Sequence, residues 1–203
     1  MNRFDLPIAL SVVGRRCVII GGGAEATDKA DKLVRAGARV QIVADEVEPA
    51  VAALAERGEV GWAARSWAPG DLAGAFLVFV TPEARDDAAA EVWGLRGSVG
   101  YLACSIDDPD RCDFANVAFA RAGDVTITIS TGGRAPALAK HLRAAIEQAF
   151  EGEVFARFVA ELARRREEAP AGQRGVVGNE SISGLQVELT ISYPSWFSPD
   201  GSA

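Results

Sequence analysis

The sequence is poor in side chains that bind metals or cross-link chains: its 203 residues hold one histidine and three cysteines, Cys17, Cys104 and Cys112, with no CxxC pair. An odd number of thiols so spaced argues against a disulfide framework and a zinc site, and leaves reduced thiols as the simplest state. The lone histidine, His141, cannot make a metal site by itself, so no resident metal is expected. No stretch approaches the roughly 18 apolar residues of a membrane span. The first ten residues also lack the basic start and long apolar core of a signal peptide. A cytoplasmic protein with no membrane partner is the expectation. Positive charge is scarce as well: 21 Lys+Arg against 28 Asp+Glu leave a net charge of −7. Without a uniformly basic surface, nucleic acid is not an expected partner, and any anionic ligand must be held by a local cluster.

What the sequence does have is alternation. Runs rich in Val and Ile recur at Cys17–Ile20, Val40–Ala44, Phe76–Val80 and Val99–Cys104, separated by stretches that suit helices. That order predicts parallel strands joined by crossover helices. Ala26, Ala30, Leu33 and Val34 fall at helical spacing within Ala24–Ala36, with Gly37 as a stop, which predicts the first crossover helix. Pro49–Arg57 and Pro82–Leu95 suit two more. Val60–Trp67 reads ambiguously as a short strand closed by Pro69 and Gly70. The texture changes near Phe114. Val125–Ser130 is a β-branched strand, Thr131-Gly132-Gly133-Arg134 a turn, and Pro136 the start of a helix striped by Leu138, Leu142, Ala145, Ile146, Ala149 and Phe150. A second helix is predicted over Glu153–Glu168. Beyond Ala169-Pro170 the chain turns Gly/Ser-rich, with one strand-like run at Leu185–Ile191 and an aromatic pair, Trp196-Phe197. The expected class is α/β: a Rossmann-like parallel sheet over 1–113, a smaller α+β dimerisation region over 114–150, and a helical segment with an atypical tail over 151–203. The apolar stripes after residue 114 have no large sheet left to cover, so a homodimer is expected.

The sharpest motif is Val18-Ile19-Ile20-Gly21-Gly22-Gly23-Ala24-Glu25-Ala26, a strand running through a G-x-G-x-x-A turn into a helix. Gly21 serves the tight turn, Gly23 the approach of a pyrophosphate, and Ala26 the close packing of helix on strand, with the helix N-terminus facing the phosphates. A second strand follows and then Asp45, positioned to bind the adenosine ribose hydroxyls. Its carboxylate would repel a 2′-phosphate and so favours NAD over NADP. Thr81, at the end of the strand Phe76–Val80, is a further candidate for facing the dinucleotide, or else a strand-end cap.

Four segments in this order, GGGAEATDKADKLVRAGARVQIVA, DLAGAFLVFVT, DDPDRCDF and GDVTITISTGGRAPALAKHLR, resemble the dehydrogenase/ferrochelatase module of siroheme synthases over about Leu6–Phe150. The resemblance implies oxidation of precorrin-2 to sirohydrochlorin with NAD, and in some members insertion of ferrous iron. It places the family's catalytic aspartate on Asp107 and its substrate-contacting turn on Ser130, Thr131, Gly132 and Gly133. Cys104 stands where the family commonly has an asparagine, among the substrate-facing positions, although on its own it reads as a small buried thiol. Glu25-Ala26 and Asp28 replace a usual Val-Ala pair and basic residue, which implies altered cofactor binding. No methyltransferase segment follows the resembling stretch, so uroporphyrinogen methylation is expected of a separate protein.

The chemistry of the residues fits those roles. Taking two hydrogens from a macrocycle needs a hydride acceptor on one side and a proton acceptor on the other. Asp107, just beyond a strand, would stand at the carboxyl edge where open α/β sheets bind ligands, while Asp108 reads as shaping the turn before Pro109. The polycarboxylate substrate needs focused donors, and the amides of Gly132 and Gly133 with Arg134, Lys140 and Arg143 are the best local set. The competing interpretation from another class is a regulatory Rossmann module that senses NAD without turning it over.

Overall fold

The structure is a computed structural model that describes residues 4, 6–85, 87–132, 134–188 and 190–194. The chain divides into two compact units, 1–117 and 118–203.

The first unit is a parallel sheet of five strands: β1 (Arg16–Ile20), β2 (Arg39–Ala44), β3 (Val60–Ala64), β4 (Leu77–Val80) and β5 (Leu102–Ser105), in the spatial order β3-β2-β1-β4-β5. The chain starts at the centre, moves out through β2 and β3, then returns to the other side of β1. The strand order therefore reverses between β1 and β4, where Cys17 pairs with Leu77 and Ile20 with Val80. Crevices at such reversals, beyond the strand ends, are where doubly wound sheets bind ligands.

Alternation along the strands explains the two-sided core. Cys17 and Ile19 point to one face, against Ala26, Ala30 and Leu33 of α1 (Ala24–Arg35) and Val51 and Leu54 of α2 (Pro49–Glu56). Val18 and Ile20 point to the other, against Ala88 and Val92 of α3 (Ala88–Val99). A strand covered on both faces has no polar side, which is why β1 reads as an unbroken apolar run. α1 stops as expected: Gly37 takes φ +78°, and the amides of Gly37 and Ala38 reach back to Val34 and Leu33. The ambiguous segment after α2 is a strand, pairing with β2 from Val40↔Val60 to Ala44↔Ala64.

Two boundaries differ from the sequence reading. The helix expected over Pro82–Leu95 is α3, which starts at Ala88 and runs to Val99. The segment after β4 is first used in a turn, with the Ala84 amide donating to the Thr81 carbonyl. Val99, expected to open the next strand, completes the helix, and Gly100 ends it with φ +87° before β5 begins at Leu102. The left-handed residue needed to stop the helix displaces the strand towards its C-terminal side.

The second unit opens with an antiparallel hairpin, β6 (Ala118–Ala122) and β7 (Val125–Ile129). β6 has only weak alternation and was not expected, because its three alanines and Arg121 carry little strand signal and Phe119 stands alone among them. Then come α4 (Pro136–Ala149), α5 (Glu153–Glu168), with the bounds read from the sequence, and α6 (Arg174–Ser181), which was not expected. The strand-like run Leu185–Ile191 forms no strand among its described residues, having no partner to complete a ladder. Trp196-Phe197 lies outside the described residues. The α/β class is as read: a Rossmann-like sheet, a small antiparallel sheet and C-terminal helices. Among the described residues no helix is long and apolar enough to cross a membrane.

Candidate functional site

The glycine turn is dictated by close packing at the β1–β4 reversal. Gly21 takes φ +110°, and a Cβ there would lie 2.0 Å from the Thr81 hydroxyl oxygen. A Cβ on Gly22 would lie 2.0 Å from the Glu46 carbonyl oxygen. Neither position has room for a side chain, so the backbone of the turn can lie against whatever fills the crevice. Gly23 is the residue before α1, and no side chain caps the amides of the helix's first turn. Those amides and the helix dipole make an anion seat. Ala26 is fully buried against the strands, as its role in the motif requires.

Around the turn lies a cavity of 630 Å³, lined by Gly21–Gly23, the segment Val43–Pro49, Ser66, Trp67 and the turn after Thr81. Asp45 is on its rim, just past the end of β2. The Ser66 hydroxyl donates to Asp45 Oδ2 at 2.9 Å, which fixes the carboxylate and leaves its second oxygen open. Thr81 is 3% exposed. Its amide donates to the Ile20 carbonyl at 3.0 Å, but its hydroxyl has no hydrogen-bond partner. The Trp67 indole N–H is likewise buried without a partner. Buried polar groups left unpaired cost about 1–3 kcal/mol each, so both are candidates for partners that a ligand or water supplies. A crevice with an uncapped helix start, a side-chain-free turn and an oriented carboxylate fits a dinucleotide.

Glu25 and Asp28, the departures in α1, are engaged with Lys29, whose ammonium lies 3.0 Å from Glu25 and 2.7 Å from Asp28. Burial opposes the charge of Lys29, yet the hydrogen bonds and charges of Asp28 and Glu25 outweigh it and hold its pKa above the ordinary range. Glu25 thus neutralises a lysine instead of simply adding negative charge beside the anion seat. Glu83, which the sequence reading passed over, folds its carboxylate over Gly23, where a Cβ would meet Oε1 at 2.3 Å. A negative group resting at an uncapped helix start is what that seat attracts. Ser66, Trp67 and Glu83 were missed because their places depend on β3 lying beside β2 and on the turn after β4. Neither pairing is local in sequence.

Asp107 sits in the turn leaving β5. It is the one non-glycine residue with positive φ among the described residues, at +65°, a conformation Asp tolerates better than most. Its side chain is exposed and takes no hydrogen bond or ion pair among the described residues. The turn is tied to the neighbouring strand by the Ile106 amide, which donates to the Val80 carbonyl at 2.9 Å. Asp107 therefore stands one strand away from Thr81, at the same edge of the sheet. Asp108 behaves as a turn-former: its carboxylate pairs with Arg111, and its carbonyl accepts from the Arg111 amide. Cys104, expected among the substrate-facing positions and as a small buried thiol, is buried in the core with its thiol against Cys112.

In the second unit, the Ser130 hydroxyl accepts from the Gly132 amide and the Thr131 hydroxyl from the Ala135 amide, both at 3.3 Å. Gly133 lies outside the described residues. Arg134, Lys140 and His141 are exposed. Arg143 is engaged with Glu147 at 2.9 Å, so the donors left open in that set are Arg134 and Lys140. No group of His, Cys, Asp and Glu among the described residues could hold a metal ion.

Comparison with known proteins converges on one family. Residues 8–118 match the family described as putative NAD(P)-binding, and residues 123–149 match the one described as sirohaem biosynthesis protein central. Siroheme synthase 1 of Aeromonas salmonicida is 34% identical over 142 residues, which is 70% of this chain and 30% of that protein. Siroheme synthase of Chromobacterium violaceum is 31% identical over 92% of this chain and 43% of its own length. The chain thus spans less than half of these relatives. Among solved structures, the precorrin-2 dehydrogenase SirC matches with a TM-score of 0.73 at 19% identity, over 87% of this chain and 89% of that one, a likeness of fold.

Proposed function

The chain belongs to the NAD(P)-binding module family of siroheme synthases, and we propose from that premise that it oxidises precorrin-2 to sirohydrochlorin with NAD. The observation that supports this reading best is the pairing of two features at one sheet edge. A side-chain-free glycine turn packs against Thr81 at the β1–β4 reversal, and an exposed, unpartnered Asp107 leaves the neighbouring β5. When bound, NAD supplies the hydride acceptor. The residues of the chain do the rest. The amides at the start of α1 hold the pyrophosphate. Asp45, steadied by Ser66, takes the ribose hydroxyls and disfavours a 2′-phosphate. The Asp107 carboxylate accepts the proton lost when a C–H bond of the macrocycle gives up its hydride, so one hydride and one proton leave the substrate together. Arg134 and Lys140, with the turn Ser130–Gly133, meet substrate carboxylates.

Ferrous iron is a second substrate in this reading, with Asp107 receiving pyrrole protons as the metal enters. We also infer a cytoplasmic homodimer made by the second unit, because Leu138 and Val154 are 51% and 73% exposed there. The test is spectrophotometric: precorrin-2 and NAD with the purified chain should yield NADH and the sirohydrochlorin chromophore in equal amounts. NAD binding without NADH formation would instead identify a sensor. Iron insertion no faster than in buffer would leave a dehydrogenase alone.

A further inference from the structure

The Asp107 turn is bracketed by two thiols that meet. Cys104 in β5 and Cys112 form an isolated antiparallel bridge, with their sulfurs 3.6 Å apart. They are 5% and 6% exposed. Just beyond them, the Asp113 amide donates to the Ala103 carbonyl at 2.8 Å, and the Ala103 amide donates to the Asp113 carboxylate at 3.0 Å. Both ends of the turn are therefore anchored. Directly opposed residues of antiparallel segments have Cα atoms about 4.5–5.5 Å apart, within the roughly 4.4–6.8 Å that a disulfide accepts. The sulfurs need to close only to about 2.05 Å, which side-chain rotation largely supplies.

We propose that Cys104 and Cys112 are a reversible dithiol/disulfide site that controls the Asp107 turn, oxidised by a hydroperoxide and reset by a cellular dithiol. With hydrogen peroxide, one thiol gives up its proton, its thiolate attacks a peroxide oxygen, the O–O bond breaks, and the departing hydroxide takes up that proton, leaving a sulfenic acid and one water. The second thiol attacks that sulfur, expels its hydroxyl group and gives it the remaining proton as a second water. Two thiols and one peroxide become one disulfide and two waters. A dithiol reverses the step by exchange.

The reduced pair also has a structural task. The Cys112 thiol lies 3.2 Å from the Ser105 carbonyl and 3.3 Å from the Asp108 carbonyl, on either side of Asp107. Oxidation removes the thiol proton, so Cys112 no longer donates to the two carbonyls that flank Asp107, which keep only their bonds from the Asp108 and Arg111 amides. The turn that holds Asp107 in its left-handed conformation then shifts. The hydrogen bond with Cys112 and burial raise the Cys104 pKa far above its ordinary value, and the Lys29 ammonium opposes them more weakly. Cys104 is therefore slow to attack a peroxide near neutral pH, and its attack accelerates as pH rises.

The activity consequence rests on the reading of Asp107 as proton acceptor, whereas the linkage does not. The full chain is treated with hydrogen peroxide, its free thiols are alkylated after unfolding, and its peptides are mapped. A Cys104–Cys112 linked peptide with alkylated Cys17 is expected. NADH formation from precorrin-2 should fall on the order of tenfold or more, return with dithiothreitol, and not fall in peroxide-treated Cys112→Ser. NAD affinity should not change. Separately alkylated Cys104 and Cys112 after prolonged peroxide overturn the proposal, as does a linked protein with full turnover. Where the untreated protein makes no NADH, the dehydrogenase reading fails by itself. Hydrogen exchange in residues 105–111 then decides the inference: a change confined to them on oxidation upholds it, and no change overturns it.

Discussion

The two units use apolar residues differently. In the first, Val, Ile and Leu from β1, β2 and β4 are buried on both faces of the sheet, and Cys17, Val18, Ile19 and Ile42 have no exposed surface. Among the described residues of the second, the buried hydrophobic ones are alanines, Ala120, Ala122, Ala139 and Ala169, while Leu138, Val154 and Val176 are exposed. A doubly covered sheet yields a rigid frame that can hold strained turns at its edge. A unit that leaves its large side chains open is suited to meeting another surface. The crevice at the glycine turn and Asp107 belong to the frame, and Ser130, Thr131 and Arg134 belong to the open unit.

This contrast can be broken at its catalytic edge first. Asp107→Asn keeps a residue that tolerates positive φ, so the frame should melt as the parent does and bind NAD equally. NADH formation should drop on the order of 10²–10⁴-fold, the usual scale for a lost general base. A lower melting temperature with near-normal turnover per folded molecule would make Asp107 a turn-former only. Next comes the frame itself. Ile19→Ala should cost about 2–5 kcal/mol in urea unfolding, since it opens a cavity in a closed core. Leu138→Ala should cost under about 0.5 kcal/mol in a monomer. If Leu138 instead lies in a homodimer interface, Leu138→Asp will dissociate it in sedimentation velocity. A parent that sediments as a monomer at micromolar concentration removes the dimer from the reading.

Within the crevice, Gly23→Val should weaken NAD binding by roughly a hundredfold, about 2.7 kcal/mol, by calorimetry, because a branched side chain fills the pyrophosphate approach. Unchanged affinity would move the cofactor elsewhere. The smallest expected effect is a pH dependence of the core. Burial pushes the Cys17 thiol up from 9.0 to about 11, with a hydrogen bond involving the Leu77 backbone opposing it. The folded state therefore favours the protonated thiol. Its contribution is complete below pH 9 and is lost as pH climbs towards 11. Cys17→Ala should flatten the decline in melting temperature across that interval, and an unaltered decline would assign it to other groups.

Much of the frame was legible in the sequence because its signals are local. A strand buried on both faces must be apolar throughout, a helix packed on it must repeat small and large apolar residues at helical spacing, and a turn at a helix start must be glycine. These rules locate β1, α1, β2 and the Gly21–Gly23 turn directly. Asp45 and Thr81 follow as the ends of β2 and β4. The weaker elements were missed or misplaced where local preference is shallow. β6 is three alanines with one Phe and one Arg, α6 carries two glycines among polar residues and Val, and the start of α3 depends on how the chain leaves β4.

By itself the sequence determined the fold class and the glycine turn, since each rests on residue type at fixed spacing, while Asp107 was singled out by the family resemblance. Tertiary structure alone decided which groups meet across the sheet. The β2–β3 pairing brings Ser66 to Asp45, the β1–β4 reversal sets the Thr81 hydroxyl against Gly21, and an antiparallel contact brings Cys104 to Cys112. Such meetings depend on strand order and register, which are settled by packing of distant segments and leave no trace in local spacing.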